Sequence, residues 1–303
     1  MNLKPLPRII TAAAFDTLHD DPAAWREVLQ AIAAEHSPDP VRQMTEGTVL
    51  VGLVGQRLVL KLYPPFLRDH FEFEQAALAR LSGRLSIPTP APVAAGERDG
   101  WPYLVMSQLA GTALSTVWPT LAEPRKCALL SALGALAAEV HALPVGNLMR
   151  LAPPWPDFLQ TQRALCHARQ QRTGLPAHLL VRLDAFLQGE LPAGPLVILT
   201  GEYTPMNLLV QGDRLAGMFD FGDGLAGPRE YDWLGPLCFL AAGNSARCEA
   251  FMTGYGASLD ASLRLALLRL LLLHRYSNLP AQIAHPGWQQ ARSFEDLAAL
   301  IWP

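Results

Sequence analysis

Two oxygen-bearing side chains, Asn207 and Asp220, stand at matching ends of a predicted β-hairpin. Asn207 opens an apolar, β-prone run, a polar turn follows, and a second apolar run leads to Asp220, thirteen residues further on. In an antiparallel pair with its turn centred between Asp213 and Arg214, the two residues sit across from each other, about 5 Å apart at the backbone. An amide and a carboxylate oxygen suit a hard cation that keeps phosphate and water ligands. The spacing therefore predicts one Mg²⁺ bound by Asn207 and Asp220.

A further carboxylate, Glu202, precedes Asn207 by five residues. Phosphoryl transfer needs a metal that neutralises charge on the phosphate oxygens, and a carboxylate that orients the attacking hydroxyl. Glu202 is therefore the predicted catalytic residue. A purely structural hairpin ending in the turn at 220–222 is the alternative, but turn, amide and both carboxylates agree on a nucleotide and metal site.

Length and charge narrow the classes of partner. A chain of 303 residues with 50% hydrophobic content can bury a large core and is long enough for two domains. The formal net charge is −3 and the basic residues form no run, so neither nucleic acid nor an anionic membrane is a predicted partner.

Cysteine spacing and hydropathy bear on the compartment. No metal-type pairing exists among the cysteines, which we predict to be reduced: Cys127, Cys166, Cys238 and Cys248. The first seven residues lack the apolar core of a signal peptide, and the most apolar helical run, 261–274, is interrupted by Arg264 and Arg269. We expect no membrane span and a cytoplasmic location.

The residue pattern of the N-terminal third predicts a small sheet with one main helix. A helix is expected to begin at Asp21 and Pro22 and to run toward Glu35, outside that sheet. After it, apolar spacing and turn residues predict strands at 48–54 and 57–63, a helix at 71–81 and a strand at 103–106. The overall order predicted for this part is β-β-α-β-β, in which the fourth strand has no assigned bounds.

The rest of the chain is predicted to be mostly helical. From about residue 112 onward the hairpin is the only clear β interruption, and helices are expected at 127–141, 176–187, 230–242 and 263–276. The fold class predicted is α+β, with a small N-terminal lobe at 1–108 and a larger, mostly helical C-terminal lobe at 109–303.

Several of these features together resemble the aminoglycoside phosphotransferase and choline kinase-like family. The resemblance rests on Lys61, Glu74, the strand ending at Met106, the loop 200–207 and Asp220, and it covers the chain from about residue 40 onward. It implies the protein-kinase-like two-lobed fold, with a nucleotide-binding lobe at 1–108 that carries an N-terminal helical extension. The catalytic loop and substrate site would belong to 109–303. Three stretches are most similar to hygromycin-type phosphotransferases: 59–62, 101–107 and 296–302.

The resemblance also implies ATP and Mg²⁺ as cofactors. Lys61 would contact the α and β phosphates while Glu74 holds Lys61; Glu72 is a competing partner, and a surface ion pair is the structural alternative. Backbone groups of Ser107 and Leu109 would bind adenine, with Met106 lining the pocket behind it.

Several other polar residues have roles that the sequence leaves open. Asp232 either braces the catalytic loop or caps a helix. Tyr203, Asp157, Asp223 and Glu230 are candidates for a polar pocket that receives the acceptor, or are solvated surface.

The catalytic loop departs from the family at one informative place. Thr200-Gly201-Glu202 stands where relatives usually have His-Gly-Asp, so the carboxylate is extended by one methylene. Its position matters more than its basicity in a loose transition state. One hypothesis is an ATP- and Mg²⁺-dependent phosphotransferase acting on a hydroxyl of a small molecule, such as an aminoglycoside-type antibiotic like hygromycin, or a metabolite. The other is a catalytically impaired nucleotide- or ligand-binding protein; the retained Lys61, Asn207 and Asp220 favour the enzyme.

Overall fold

The chain divides into two compact units. The structure, a computed structural model, describes residues 5–9, 11–19, 21–44, 47–201 and 203–303. The first unit comprises Met1–Ala110 and Met218–Asp223, and the second comprises Gly111–Gly217 and Gly224–Pro303. The segment 218–223, placed in the C-terminal lobe by the sequence, thus clusters with the first unit. The lobe boundary after residue 108 stays a prediction.

The first unit is built on a five-stranded antiparallel sheet with strand order β1-β2-β3-β5-β4. Its helices and strands are α1 (Ala12–His19), α2 (Pro22–Ala34), β1 (Val41–Met44), β2 (Leu50–Val54), β3 (Leu58–Leu62), α3 (Arg68–Leu81), β4 (Pro92–Arg98) and β5 (Trp101–Ser107). The helix at 71–81 and the strands at 48–54, 57–63 and 103–106 are present as α3, β2, β3 and β5, whereas the two edge strands, β1 and β4, had no predicted bounds.

Side chains alternate between the two faces of the sheet along β3, and this alternation sets the direction of Lys61. Leu60 and Leu62 are buried in one core cluster with Trp25 of α2 and Trp101 of β5. The two indole rings lie 5.3 Å apart, which fixes α2 against this face of the sheet. Because successive side chains of a strand point to opposite faces, Lys61 points to the other face.

The second unit is mostly helical. Its elements are β6 (Thr112–Ala113), α4 (Leu114–Val117), α5 (Glu123–Ala142), α6 (Leu148–Leu151), α7 (Trp155–Thr173), α8 (Ala177–Leu180), α9 (Leu183–Leu187), β7 (Val197–Leu199), β8 (Leu208–Gln211), β9 (Arg214–Met218), β10 (Leu225–Gly227), α10 (Ser245–Tyr255), α11 (Ala261–Leu273), α12 (Leu279–Gln282) and α13 (Phe294–Ile301). The predicted hairpin is confirmed, because β8 and β9 are neighbouring strands of a three-stranded sheet with β6.

Two local predictions for this unit were wrong. The hairpin is not the only β structure, since β7 pairs antiparallel with β10; both strands have three residues, too few to show an alternating pattern. The helix predicted at 230–242 is instead a 3₁₀ turn at Arg229–Tyr231 followed by a π-helical segment at Pro236–Ala241. A glycine and a proline at 235 and 236 interrupt the regular helical hydrogen bonds there.

The predicted α+β class is confirmed, with an antiparallel sheet in the N-terminal part and a larger helical part after it. All four cysteines are free thiols. Within the described part of the chain, no helix is both long and apolar enough to cross a membrane.

Glycines allow α5 and α10 to approach each other closely. A Cβ atom on Gly134 would lie under 3.0 Å from the carbonyl oxygen of Phe251, and one on Gly254 would meet the carbonyl oxygen of Ser131 just as closely. We expect Gly134→Ala to destabilise the protein by about 3 kcal/mol, although alanine favours a helix, because backbone atoms cannot rotate away. Urea denaturation measures this, with Gly194→Ala as the control because no atom lies within 4 Å of the added methyl. Equal stability of the two variants would contradict this packing.

Candidate active site

A buried ion pair joins β3 to α3. The Lys61 ammonium donates to both carboxylate oxygens of Glu74, at 2.8 Å and 2.9 Å. Glu74, rather than Glu72, is thus the partner of Lys61. The side chains are only 9% and 1% exposed, respectively, so the pair is not a surface contact.

Two further groups fix Glu74 in place. The Tyr63 hydroxyl donates to Glu74 Oε2, and the backbone N–H of Phe221 points at Oε1 across 3.4 Å. Burial and the neighbouring Glu74 charge raise the pKa of Tyr63 well above its ordinary value, so this hydroxyl keeps its proton. Sequence reasoning missed Tyr63, although its place two residues after Lys61 puts it on the same face of the strand.

Asp220 is the second carboxylate on Lys61. Its Oδ1 accepts from Lys61 Nζ at 2.7 Å, and its side chain is 41% exposed. The backbone of Asp220 has φ +69°, the left-handed region that few residues other than glycine adopt, and such strain is concentrated at functional sites.

Both members of this contact are charged near neutral pH. Burial opposes the charge on Lys61, but the carboxylates of Asp220 and Glu74 outweigh it and raise the lysine pKa above its ordinary value. Partial burial likewise opposes ionisation of Asp220, and the Lys61 ammonium outweighs it and lowers the pKa of the carboxyl group. An ionised, partly exposed carboxylate has the oxygen chemistry of a Mg²⁺ ligand.

The predicted adenine-binding residues lie at the C-terminal end of β5 and just after it. Met106 is buried, whereas Ser107 and Leu109 are partly exposed. The N–H of Ser107 donates to the carbonyl of Ala91 at 2.9 Å, and the Ser107 hydroxyl accepts from the Ala91 N–H at 2.9 Å. The N–H of Ser107 is therefore committed to the protein.

In the second unit, Asp232 braces the start of the predicted catalytic loop. Its carboxylate accepts the backbone N–H groups of Thr200 and Gly201, each at 2.9 Å, and the Thr200 hydroxyl at 3.3 Å. His141 Nε2 lies 3.1 Å from Asp232 Oδ2, and its Nδ1 lies 2.9 Å from the Tyr255 hydroxyl. The Asp232 side chain thus braces the loop, while its backbone N–H donates to the Arg229 carbonyl at the end of the 3₁₀ turn.

Glu202, the predicted catalytic residue, lies outside the residues that the structure describes. Asn207 directly precedes β8 in the second unit, and Asp220 follows β9 by two residues in the first. The confirmed hairpin is therefore the stretch of chain that links these two predicted metal ligands.

We expect Asp232→Asn to lower the free energy of unfolding by about 2 kcal/mol, because an amide cannot accept at both oxygen positions and leaves a buried N–H without a partner. Thermal or urea denaturation measures the change. Asp184→Asn is the matched control, since that side chain is 78% exposed. An unchanged midpoint for Asp232→Asn would show that the brace is not needed for the fold.

A cavity of 290 Å³ adjoins the loop within the second unit. Gly201, Tyr203 and Thr204 line it from the loop, and residues within 231–239 and 271–282 line its other walls. Of the candidates for an acceptor pocket, only Tyr203 lines it; Asp157 and Glu230 do not. Asp223, in the first unit, lies 3.5 Å from His70 Nδ1.

Sequence comparison agrees with the resemblance predicted above. The profile described as "Phosphotransferase enzyme family" matches residues 39–271, more than half of the chain. The chain is also similar to a homoserine kinase of Allorhizobium ampelinum, with 31% identity over 215 residues that cover 65% of this chain and 64% of the kinase. The chain thus matches less than two thirds of the kinase's length.

Structural comparison gives the same fold. The streptomycin–ATP complex of APH(2″)-IIa superposes with a TM-score of 0.65 and 18% identity over 85% of this chain and 96% of the other. The macrolide 2′-phosphotransferase MphH of Brachybacterium faecium superposes with a TM-score of 0.60 and 19% identity, over 92% and 99%. The predicted fold is therefore confirmed.

Proposed function

Because the chain belongs to the phosphotransferase enzyme family, we propose that it transfers the γ-phosphate of ATP to a hydroxyl group of a small molecule, with Mg²⁺ as cofactor. One observation carries the proposal: Lys61 is buried and charged between Glu74 and Asp220, the second of which the sequence predicts as a metal ligand. A buried ion pair is costly to maintain for stability alone, so its retention favours a role in binding.

Lys61 would bind the α and β phosphates. Glu74 holds the ammonium with two hydrogen bonds, and Tyr63 and Phe221 in turn hold Glu74. The lysine is therefore positioned before any nucleotide arrives, which reduces the entropy lost on binding. The adenine would meet backbone groups of Ser107 and Leu109, with Met106 behind it.

Asn207 and Asp220 would hold Mg²⁺, which when bound neutralises charge on the phosphate oxygens. Two features support this proposal: the oxygen ligands are an amide and an ionised carboxylate, and the two residues flank the confirmed hairpin. ATP is the proposed nucleotide because a relative of the same fold, APH(2″)-IIa, is described in complex with it.

Glu202 would orient the acceptor hydroxyl and accept its proton late in the transfer. The residue before it, Gly201, is tied by its N–H to the buried Asp232, so the loop begins from a rigid anchor. The adjoining cavity would receive the acceptor, since Gly201 and Tyr203 on both sides of residue 202 line it.

The relatives indicate the class of acceptor. Their descriptions name homoserine kinase activity, a streptomycin complex and macrolide phosphotransfer. A hydroxylated small molecule is common to all of these, and an antibiotic such as hygromycin is one member of that class.

Mass spectrometry after incubation with ATP, Mg²⁺ and a mixed library of hydroxylated acceptors tests the proposal. We expect one acceptor to gain a phosphoryl group, with no gain when EDTA is added. Binding of ATP without a phosphorylated product from any acceptor would favour the second candidate, a binding protein without transfer activity. The observation that favours this second candidate is the departure at Thr200 and Glu202.

A further inference from the structure

The cavity beside the loop is almost uncharged. Of its described lining residues, Asp232 is the only acidic one, none is lysine or arginine, and His274 is the one histidine. Both oxygens of Asp232 already accept hydrogen bonds from the backbone of Thr200 and Gly201. Glu202, which adjoins the lining residues in the chain, adds at most one negative charge. The other described lining residues provide no carboxylates that could pair with a ligand carrying several positive charges.

What the cavity does offer is aromatic faces and neutral hydrogen-bonding groups. Phe239 and Tyr276 contribute partly exposed rings, whereas Tyr203 and Tyr231 are buried beneath the surface of the cavity. Asn278 contributes an exposed amide, and the buried Gln282 amide oxygen accepts the backbone N–H of Asn278. An amide both donates and accepts, as a ligand hydroxyl does, and an aromatic face packs against C–H groups.

One of the buried hydroxyls at this wall belongs to Thr204. The Thr204 hydroxyl is buried without a hydrogen bond to any described residue. Because a buried hydroxyl usually finds a partner, a ligand oxygen at this place would satisfy it. The π-helical segment Pro236–Ala241 brings Phe239 to the cavity, and π-helical turns occur frequently at functional sites.

Resting on the proposed function, we propose that the acceptor is a single neutral ring bearing hydroxyl groups, of the sugar or cyclitol class, and not a polycationic aminoglycoside. The volume of 290 Å³ lies at the lower limit of pockets that enclose drug-sized ligands. Transfer of several ammonium groups from water into this cavity would cost desolvation free energy. Neutral lining groups, unlike carboxylates, would not compensate this cost.

Acceptor competition tests the class directly. Parallel reactions with ATP and Mg²⁺ would use monosaccharides and cyclitols as neutral rings, homoserine as a zwitterion, and hygromycin and streptomycin as cations. We expect kcat/KM for the best neutral ring to exceed that of any polycation by about 100-fold, since unpaired charges are costly to bury. A polycation that matches or exceeds every neutral ring would overturn the proposal.

A change of charge in the wall gives a second readout that does not depend on turnover. Binding of glucose and of glucosamine, its singly charged amine analogue, is measured by ligand-detected NMR. Wild-type protein should prefer glucose, and Asn278→Asp should shift the preference toward glucosamine by about fivefold, because the new carboxylate faces the ligand amine. Asn147→Asp, on an exposed residue outside the cavity, is the control and should shift nothing.

These measurements separate the two proposals. Glucose binding without phosphate transfer to any acceptor would contradict the proposed function and leave the cavity assignment standing. Efficient transfer to polycations would support the proposed function and contradict the assignment of the cavity to a neutral ring. Failure of every neutral ring to bind, or an equal shift in the Asn147 and Asn278 variants, would overturn the cavity assignment itself.

Discussion

Phosphate transfer is expected to fall by about 1,000-fold in Asp220→Ala, equivalent to ~4 kcal/mol of transition-state stabilisation. Of the two predicted metal ligands, Asn207 is a neutral amide and Asp220 is the charged one. The Lys61 ammonium, 2.7 Å from Asp220 Oδ1, stabilises that charge. The fold should survive, because Lys61 keeps both of its hydrogen bonds to Glu74. Steady-state kinetics with titrated Mg²⁺ measures the effect.

Asp213→Ala is the matched control for that variant. Asp213 lies in the turn of the same hairpin and is 76% exposed in its contact with Arg125, so its loss should leave turnover unchanged. Equal activity of wild-type protein and Asp220→Ala would remove Asp220 from the metal site. A Lys61 variant is a poorer probe, since it would leave the buried Glu74 without its cation and destabilise the fold by about 3 kcal/mol or more.

Turnover is also expected to fall by about 100-fold or more in Glu202→Gln, because the amide cannot accept the proton of the acceptor hydroxyl. The affinity for ATP should change little, since the predicted nucleotide contacts come from Lys61 and the end of β5. Single-turnover kinetics and nucleotide binding, measured on the same preparation, separate the two quantities.

Glu202→Asp tests whether the longer side chain is required. Shortening the carboxylate by one methylene displaces it by about 1 Å, and such a displacement can cost about 100-fold in rate. We therefore expect Glu202→Asp to be slower than the wild-type protein. A faster Glu202→Asp variant would mean that glutamate is an impairment and not an adaptation of this loop.

The parts of the site that local patterns encode were predictable. The hairpin between Asn207 and Asp220 has strands of four and five residues with a polar turn, and it forms as expected. Periodicity places Lys61 on a strand and both Glu72 and Glu74 on the following helix, and the family resemblance implied Glu74 as the partner.

The remaining parts depend on contacts between residues far apart in the chain. The His141 and Asp232 contact joins positions 91 residues apart, and a single sequence gives no sign of which histidine would meet which carboxylate. Three prolines within Pro153–Pro156 are typical of a loop, yet α7 begins at Trp155 with a proline in its first turn. Proline is favoured at that position as well as in loops, so composition alone does not decide between the two.

The most direct measurement follows the γ-phosphate of isotopically labelled ATP into the acceptor fraction, with wild-type protein, Glu202→Gln and Asp220→Ala compared side by side. The account predicts Mg²⁺-dependent labelling of a small hydroxylated molecule by the wild-type protein, and its loss in both variants. Nucleotide binding by the wild-type protein with no labelled acceptor, or equal labelling by all three proteins, would contradict it.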